Sequence, residues 1–316
     1  MGAWHAHAVR RAGGRLLGVV DPQTSRAAAL ARRHRGAEVF ADLPTALAAG
    51  PDVVHVCTPS ASHVPQVEAA LAASRHVLAE KPLAPTAAET ERLLNQAGAA
   101  GRLLVPVHQF LFQRGILRLL DRLPTLGSPV QLEIEAASTG GGAGANETDM
   151  VAGEILPHFL ALARRLLGIT LAEQDWRVSS PRSGEWRVMA VPGSVSLGFL
   201  VSLAARPPFA RLRLLGDRGS ARVDLFHGYV VFERGTASRF AKAARPFTTA
   251  LGTLAAAGVN LARRTLEWEP AYPGLTELTR RFYRAIGGKG PTPVPAGESL
   301  DIARARDRIR ELLPPR

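Results

Sequence analysis

Residues 52–82 constrain the fold of this chain more than any other stretch. They open with a short apolar run rich in β-branched residues, 53–57, which is typical of a buried strand. Residues 63–73 then carry apolar side chains at helical spacing, and His76–Ala79 is a second short apolar run. A strand, a helix and another strand in this order predict a parallel βαβ unit within an α/β domain.

A polar motif follows each strand of this unit. Thr58-Pro59 comes after the first strand, and Glu80-Lys81-Pro82 comes after the second. Ligands of open parallel sheets bind beyond the carboxyl ends of the strands, so we expect both motifs at a binding edge. Lys81 is one of three lysines in a chain that otherwise uses arginine, and a lysine can lose its proton when partly buried. The alternative is a solvated lysine paired with Glu80.

The start of the chain indicates part of a dinucleotide-binding fold. A predicted helix at 1–12 is followed by a strand at 16–20 that ends in Asp21. The full fingerprint is a strand, G-x-G-x-x-G, a helix, and a strand with an acidic residue about 20 residues after the glycines. Gly2 then corresponds to the third glycine, which permits close helix–strand packing, and Asp21 to the residue that binds a ribose hydroxyl. An Asp at a strand end is also a common turn residue, so both interpretations stay open.

The second half of the chain predicts a different fold class. Several short strands follow one another without helices between them, which indicates a mostly antiparallel sheet in an α+β domain. We place a doubly wound Rossmann-type domain lacking its first strand at 1–107, and an α+β substrate or oligomerisation domain at 108–316. The last helix, 299–313, is expected to pack back on the first domain. The glycine-rich segment 138–145 is either a linker or a loop that covers a substrate.

Several segments together resemble the glucose–fructose oxidoreductase/inositol dehydrogenase (Gfo/Idh/MocA) family. The most diagnostic are the runs DVVHVCTPSASHVPQVEAAL and HVLAEKPLA, with their T-P-x-x-x-H and E-K-P motifs. The chain start GAWHAHAV, the strand GVVD, and the later segments VPVHQFLFQRG and LRLLGDRGSARVDL extend the resemblance over nearly the whole chain. The resemblance implies an NAD(P)-dependent oxidoreductase that moves a hydride between a nicotinamide and a sugar, cyclitol or related polyol.

The resemblance also implies roles for residues in both domains. The family has Asp-x-x-x-His on a helix, where this chain has Glu154 and His158, four residues apart on one helix face. His158 would take the substrate's hydroxyl proton, Lys81 would bind and polarise the reacting oxygen, and Glu154 would orient His158 or contact the substrate. The cofactor-binding set is Gly2, Asp21, Thr58, Pro59, His63, Glu80 and Lys81, of which Thr58, Pro59 and His63 would line the nicotinamide side.

The cofactor preference follows from charge. Asp21 repels a 2′-phosphate, so NAD is expected, although Arg26 nearby keeps NADP as the alternative. His5 and His7 resemble metal ligands in isolation, but we interpret them as helix residues near the cofactor or solvent, and we expect no metal.

Composition narrows the class of protein. Apolar residues make up 46% of 316 residues, which indicates a globular chain. Its single cysteine, Cys57, allows no internal disulfide, which fits the cytoplasm. The net charge of +12 comes from scattered arginines without a nucleic-acid-binding motif, and no apolar run is long enough to span a membrane. We therefore expect a small-molecule substrate, no nucleic-acid or membrane partner, and a homodimer or homotetramer.

Three explanations compete for the missing first strand. Met1 is the internal methionine of G-x-G-x-M-G in a longer natural protein, or the chain is a non-catalytic relative that acts as a binding or scaffolding protein, or another chain supplies the strand. The first explanation is favoured, because removing a central strand leaves backbone groups of its neighbours unpaired.

Overall fold

The structure is a computed structural model that describes residues 1–138, 145–235, 238–269 and 271–314, without the side chains of 145–147 and 240–241. The chain forms two compact units. Unit 1 comprises Met1–His108 and Leu275–Ala303, and unit 2 comprises Gln109–Gly274 and Arg304–Arg316. Residues 275–303 were expected in the second domain, but they belong to unit 1. A domain boundary after residue 107 stays a prediction.

Helices and strands alternate in the first third of the chain, and strands dominate the middle. The first elements are α1 (Gly2–Arg11), β1 (Gly18–Val19), α2 (Thr24–Arg32), β2 (Glu38–Val39), α3 (Leu43–Ala48), β3 (Val53–Val56), α4 (His63–Ala72), β4 (His76–Ala79), α5 (Ala87–Ala99) and β5 (Leu104–Pro106). The later elements are α6 (Arg114–Arg122), β6 (Pro129–Ala137), α7 (Ala145–Leu167), β7 (Arg177–Arg182), β8 (Glu185–Ala190), β9 (Ser196–Ser202), β10 (Phe209–Gly216), β11 (Gly219–Asp224), β12 (Tyr229–Arg234), α8 (Arg239–Leu266), α9 (Leu275–Ile286) and α10 (Ala296–Glu311).

The predicted βαβ unit is confirmed in unit 1. Strands β3, β4 and β5 form a parallel sheet in that order, with Val53 opposite His76 and Val56 opposite Ala79. Strands β1 and β2 form a separate parallel pair of two residues each. Within the described residues no hydrogen-bonded strand joins the two sheets, although a doubly wound fold has one at that place.

The core of unit 1 lies between the three-stranded sheet and helices α4 and α5. Its buried members include Val67, Leu71, Val77, Leu93 and Leu104. The spacing of apolar side chains on each helix dictates this face, because residues three and four apart lie on one side.

A local sequence signal fixes the start of α5. The backbone N–H of Glu89 donates to Thr86 Oγ1 at 3.2 Å, and the backbone N–H of Thr86 donates to Glu89 Oε2 at 3.1 Å. The capping box that the sequence predicts is therefore confirmed.

Unit 2 contains the mostly antiparallel sheet that the sequence predicts. Its seven strands run in the order β12-β11-β10-β6-β9-β8-β7, and only the β6–β9 pairing is parallel. Along β6, Leu132 and Ile134 are fully buried while alternate residues are partly exposed. This alternation of period two buries one face of the strand.

Helix α7 begins earlier than expected. The sequence predicted a start at Gly153, with Pro157 in the first turn, but α7 begins at Ala145 and Pro157 lies inside it. The additional turns are held by tertiary contacts: the Asp149 carboxylate accepts from the Gly184 N–H at 2.8 Å and from the Trp186 indole N–H at 3.0 Å. A proline in a helix interior removes one hydrogen bond, so packing rather than local propensity decides this helix.

Two further observations bear on the expectations. In the glycine-rich segment, residues 139–144 lie outside the described residues. Among the helices of the described chain, none combines the length and the apolar character that a membrane span needs.

Candidate active site

The E-K-P motif begins where β4 ends. Glu80 is buried, and its backbone N–H still bonds to the carbonyl of Val56 on β3 at 2.8 Å. Its carboxylate accepts a hydrogen bond from His5 Nε2 at 3.0 Å. Burial alone would raise the pKa of Glu80, but the His5 hydrogen bond and charge, followed by the charge of Lys81, lower it. Glu80 is therefore an ionised carboxylate beside Lys81.

A buried chain of polar side chains continues from Glu80. His5 Nδ1 lies 2.9 Å from His55 Nδ1, and His55 Nε2 lies 3.0 Å from the Tyr283 hydroxyl oxygen. Burial alone would lower the pKa of His5, but Cys57 and Glu80 outweigh burial and raise it to about 10. Burial, and then the charge of His5, hold the pKa of His55 well below its usual value.

These opposite shifts and the distances are satisfied together by one arrangement of hydrogens along the chain. A cationic His5 donates from both ring nitrogens, to Glu80 and to His55 Nδ1. A neutral His55 that accepts at Nδ1 carries its proton on Nε2, and it donates that proton to Tyr283.

This network was not predicted from the sequence. His5 had been interpreted as a helix residue near cofactor or solvent, but it is buried and bonded to the E-K-P glutamate. His5 and His55 are 50 residues apart, and His55 and Tyr283 are 228 residues apart. No local pattern reports contacts of that separation; the only sequence signal was a histidine on the buried side of α1.

His63 joins the two motifs at the sheet edge. Its Nε2 lies 2.9 Å from the carbonyl oxygen of Thr58, and its Nδ1 lies 2.7 Å from the carbonyl oxygen of Pro82. The Thr58 hydroxyl donates to Gln66 Oε1 at 2.9 Å. The T-P-x-x-x-H histidine therefore ties the turn after β3 to the turn after β4. Both ring nitrogens of His63 are occupied by these two contacts. The predicted contact of His63 with the nicotinamide stays a proposal.

The two residues expected from the dinucleotide fingerprint lie at the ends of α1 and β1. The Asp21 carboxylate accepts from the backbone N–H of Gln23 at 2.8 Å, so one oxygen already serves as a turn acceptor. A Cβ placed on Gly2 would come no nearer than 4.0 Å to Leu30, its nearest neighbour in the described structure. The tight helix–strand packing expected at Gly2 is absent from the part of the chain that the structure describes.

The second predicted constellation lies on α7 in unit 2. His158 is buried, and its ring stacks on Phe110 with 4.5 Å between centroids and 26° between planes. Glu154 lies one turn earlier on α7 and is partly buried. The stacked Phe110 ring restricts the plane of the His158 imidazole. A fixed ring plane suits a general base, because a base must point a ring nitrogen at the proton that it accepts.

Metal chemistry has no candidate ligand set in the described chain. Among the described residues, no three His, Cys, Asp or Glu side chains cluster in a way that could hold a metal ion. Residues that fit a dinucleotide do lie at the carboxyl ends of parallel strands: Asp21 after β1, Thr58-Pro59 after β3 and Glu80-Lys81 after β4.

Parts of this chain are similar in sequence to known oxidoreductases. Residues 1–108 match the profile of an oxidoreductase family with an NAD-binding Rossmann fold, Gfo/Idh/MocA. Inositol 2-dehydrogenase of Pseudomonas syringae pv. syringae (strain B728a) is 36% identical over 162 residues, which is 49% of this chain and 47% of that enzyme. D-glucoside 3-dehydrogenase of Escherichia coli (strain K12) is 40% identical over 91 residues, 28% of this chain and 26% of that enzyme. These alignments span less than half the length of the curated relatives.

The fold likeness extends further than the sequence likeness. UDP-N-acetylglucosamine 3-dehydrogenase GnnA from Acidithiobacillus ferrooxidans superimposes with a TM-score of 0.76 at 22% identity, over 99% of this chain and 94% of that one. At this identity the likeness establishes the fold alone. The match over residues 1–108 assigns that part of the chain to the NAD-binding domain of the Gfo/Idh/MocA oxidoreductase family, in agreement with the motifs of unit 1.

Proposed function

We propose that this protein is an NAD(P)-dependent oxidoreductase that acts on a secondary hydroxyl of a sugar, cyclitol or related polyol. The observation that carries the proposal is Lys81, held at the carboxyl end of β4 beside the buried His5–Glu80 pair. Support also comes from the relatives, because those named above are inositol and sugar dehydrogenases. This favours catalysis over a non-catalytic scaffolding role.

The chemistry needs a base and a cation at the reacting oxygen. An alcohol loses hydride readily only when its hydroxyl proton also leaves, so a base must lie within hydrogen-bond reach. We assign that role to His158, since imidazole can accept a proton near neutral pH. Lys81 binds and polarises the same oxygen, and Glu154 orients His158 or contacts the substrate. A bound nicotinamide supplies the hydride acceptor.

The network around Glu80 supports the role of Lys81. A lone buried carboxylate next to Lys81 would bind its ammonium strongly and resist release of the proton. His5 is a cation hydrogen-bonded to Glu80, so Lys81 neighbours a neutral pair instead. We therefore assign His5 as a positioning residue that weakens the attraction of Glu80 for the Lys81 ammonium, so that Lys81 can donate a hydrogen bond to the reacting oxygen whose proton His158 takes.

The protein's three lysines allow a direct test of this assignment. With ¹³C label on the lysine ε-carbon, Lys81, Lys242 and Lys289 give three signals, and the last two are exposed internal controls. In His5→Gln we expect Lys81 to release its proton at a higher pH than in the unaltered protein, while Lys242 and Lys289 titrate unchanged. An unchanged Lys81 titration would remove His5 from the mechanism without touching the proposed activity.

Turnover is the test of the function itself. Inositols, free sugars and UDP-sugars would be assayed with NAD and with NADP, using the protein and its Lys81→Ala and Lys289→Ala variants. We expect turnover that is lost in Lys81→Ala, retained in Lys289→Ala, and accompanied by an unchanged circular dichroism spectrum. Full activity of Lys81→Ala contradicts the catalytic assignment.

The preferred cofactor is proposed to be NAD. The Asp21 carboxylate at the end of β1 would repel a 2′-phosphate, whereas it can accept from a 2′-hydroxyl. Asp21→Ser should therefore narrow the difference between the Michaelis constants for NAD and NADP. A lower Michaelis constant for NADP in the unaltered protein would count against Asp21 as the selecting residue.

We also propose a cytoplasmic homodimer or homotetramer. We assign subunit contact to the side of the seven-stranded sheet whose residues are exposed, as along β8 and β10. Light scattering coupled to gel filtration measures the mass directly, and a monomer at micromolar concentration would contradict this proposal.

A further inference from the structure

Helix α8 in unit 2 turns its large apolar side chains outward. Phe247, Leu251, Leu254 and Leu261, which we name the outer stripe, are each between 66% and 72% exposed. Their spacing of four, three and seven residues puts them on one face of the helix. A helix of a globular protein normally buries its apolar face, whereas α8 exposes this one.

The inner face of α8 is small and polar. The Thr249 hydroxyl donates to Glu233 on β12 at 3.0 Å, and the Asn260 amide donates to the carbonyl of His227 at 2.8 Å. A Cβ on Gly252 would lie 3.6 Å from Val231, so that turn rests directly on the strand. These contacts fix which side of α8 faces the protein, and they leave the outer stripe to another partner.

Charge identifies the partner. Helix α8 carries five cationic side chains, Arg239, Lys242, Arg245, Arg263 and Arg264, and no acidic one. They lie before and after residues 247–262, a run without any charged residue. A second copy seated on the outer stripe would bring an equally cationic helix against this one, which costs free energy. Anionic phospholipid head groups offer the opposite charge next to an apolar phase.

The geometry fits a helix that lies in the membrane surface. The uncharged run 247–262 is shorter than the roughly 20 residues that a span requires. Trp268, just beyond the end of α8, is also strongly exposed, and tryptophan favours the interface between lipid and water. Arg245 is paired with Glu233, and Arg264 donates to the backbone carbonyls of His227 and Glu269. We propose that α8 docks the protein onto an anionic membrane surface, with the outer stripe in the acyl-chain boundary and Arg239, Lys242 and Arg263 at the head groups.

This inference revises our sequence-based expectation of no membrane partner. That expectation considered only spans, and an amphipathic helix that lies on a surface needs no long apolar run. It is also independent of the proposed oxidoreductase activity, because α8 contributes none of the residues assigned to the reaction.

Vesicle flotation with the full chain tests the proposal. Vesicles of phosphatidylcholine and phosphatidylglycerol in equal parts would be compared with vesicles of phosphatidylcholine alone. We expect binding to the anionic vesicles that weakens with salt. The double variant Leu251→Gln/Leu254→Gln should bind them at least about tenfold more weakly, because two apolar side chains no longer enter the lipid.

Matched controls separate the stripe from general effects. Met189→Gln/Val191→Gln removes two exposed apolar side chains elsewhere in unit 2 and should leave vesicle binding unchanged. Lys242→Gln/Arg263→Gln should reduce the preference for anionic over neutral vesicles. Because all six positions are exposed, the variants should fold, which circular dichroism checks.

Three results would overturn the proposal. The first is no binding to either vesicle, and the second is equal binding by Leu251→Gln/Leu254→Gln and the unaltered protein. The third is self-association in sedimentation velocity that this variant abolishes, which would assign the outer stripe to a second copy of the chain.

Discussion

The sheets of the two units differ in how completely their strands are paired. In unit 2, β6 is paired on both sides, with β10 and β9, and its apolar face is fully buried. In unit 1 the five strands form two sheets, and β1 and β2 are two residues long, with β1 partly buried and β2 exposed. A two-stranded sheet is marginal by itself. The residues assigned to cofactor binding therefore follow strands of the two small sheets of unit 1. The continuous seven-stranded sheet belongs to unit 2.

The largest expected effect comes from matched truncations in the two kinds of sheet. Ile134→Ala, on β6, should lower the free energy of unfolding by roughly 2–5 kcal/mol, because it opens a cavity on the buried face of the sheet. Val39→Ala, on β2, should cost less than about 0.5 kcal/mol, because the side chain is already exposed. Urea unfolding followed by tryptophan fluorescence measures both.

Amide hydrogen exchange provides the control for this comparison. The amides of β1 and β2 should exchange faster than those of β6, β9 and β10. If Val39→Ala destabilised the protein as much as Ile134→Ala, or if β1 were protected like β6, the β1–β2 pair would have a stabilising neighbour and the contrast would fail.

The sequence predicted what depends on local order and missed what depends on distant contacts. The β-branched run before Thr58 predicted β3, and Thr86 with Glu89 predicted the start of α5, because both signals lie within a few residues. The early start of α7 depends on Trp186, which lies more than 30 residues beyond it, and periodicity could not show it. Which face of α8 is turned outward depends in the same way on the contacts of this helix with β12, which the pattern of the helix alone does not show.

The buried pair of unit 1 should give the next largest effect. His5→Gln should cost roughly 1–3 kcal/mol at pH 6, since Glu80 stays buried with a weaker partner. Because the pKa of folded His5 is raised to about 10, its contribution is fully present below about pH 6.5 and is lost as the pH rises through 10. The pKa of Glu80 is lowered, so its contribution is lost on acidification below its usual value near 4.5.

Urea unfolding at several pH values measures this dependence. The difference between His5→Gln and the unaltered protein should be widest near pH 6 and should shrink toward pH 10. His34→Gln is the matched control on unit 1, because His34 has no buried carboxylate partner among the described residues and its pKa is lowered by burial and neighbouring arginines. A difference that stayed constant from pH 6 to 10 would mean that His5 is not a cation in the folded protein.

A smaller effect should come from the cap of α5, which tests whether unit 1 relies on local signals. Thr86→Ala removes the acceptor for the Glu89 N–H and should cost about 1 kcal/mol. Thr86→Ser keeps the acceptor and should cost less. Thermal unfolding of both variants measures this, and a cost well above 2 kcal/mol would show that the cap also supports the three-stranded sheet.

The smallest effect should come from an exposed ion pair at the edge of the seven-stranded sheet. Arg245 on α8 contacts Glu233 on β12 at 2.6 Å, but the arginine is mostly exposed and Arg222 contacts the same carboxylate. Arg245→Gln should therefore cost about 0.2–1 kcal/mol, and less at high salt. Urea unfolding at low and high salt measures this cost. A larger, salt-independent loss would mean that the edge strand β12 depends on α8, and that the continuous sheet of unit 2 is less self-sufficient than its strand order indicates.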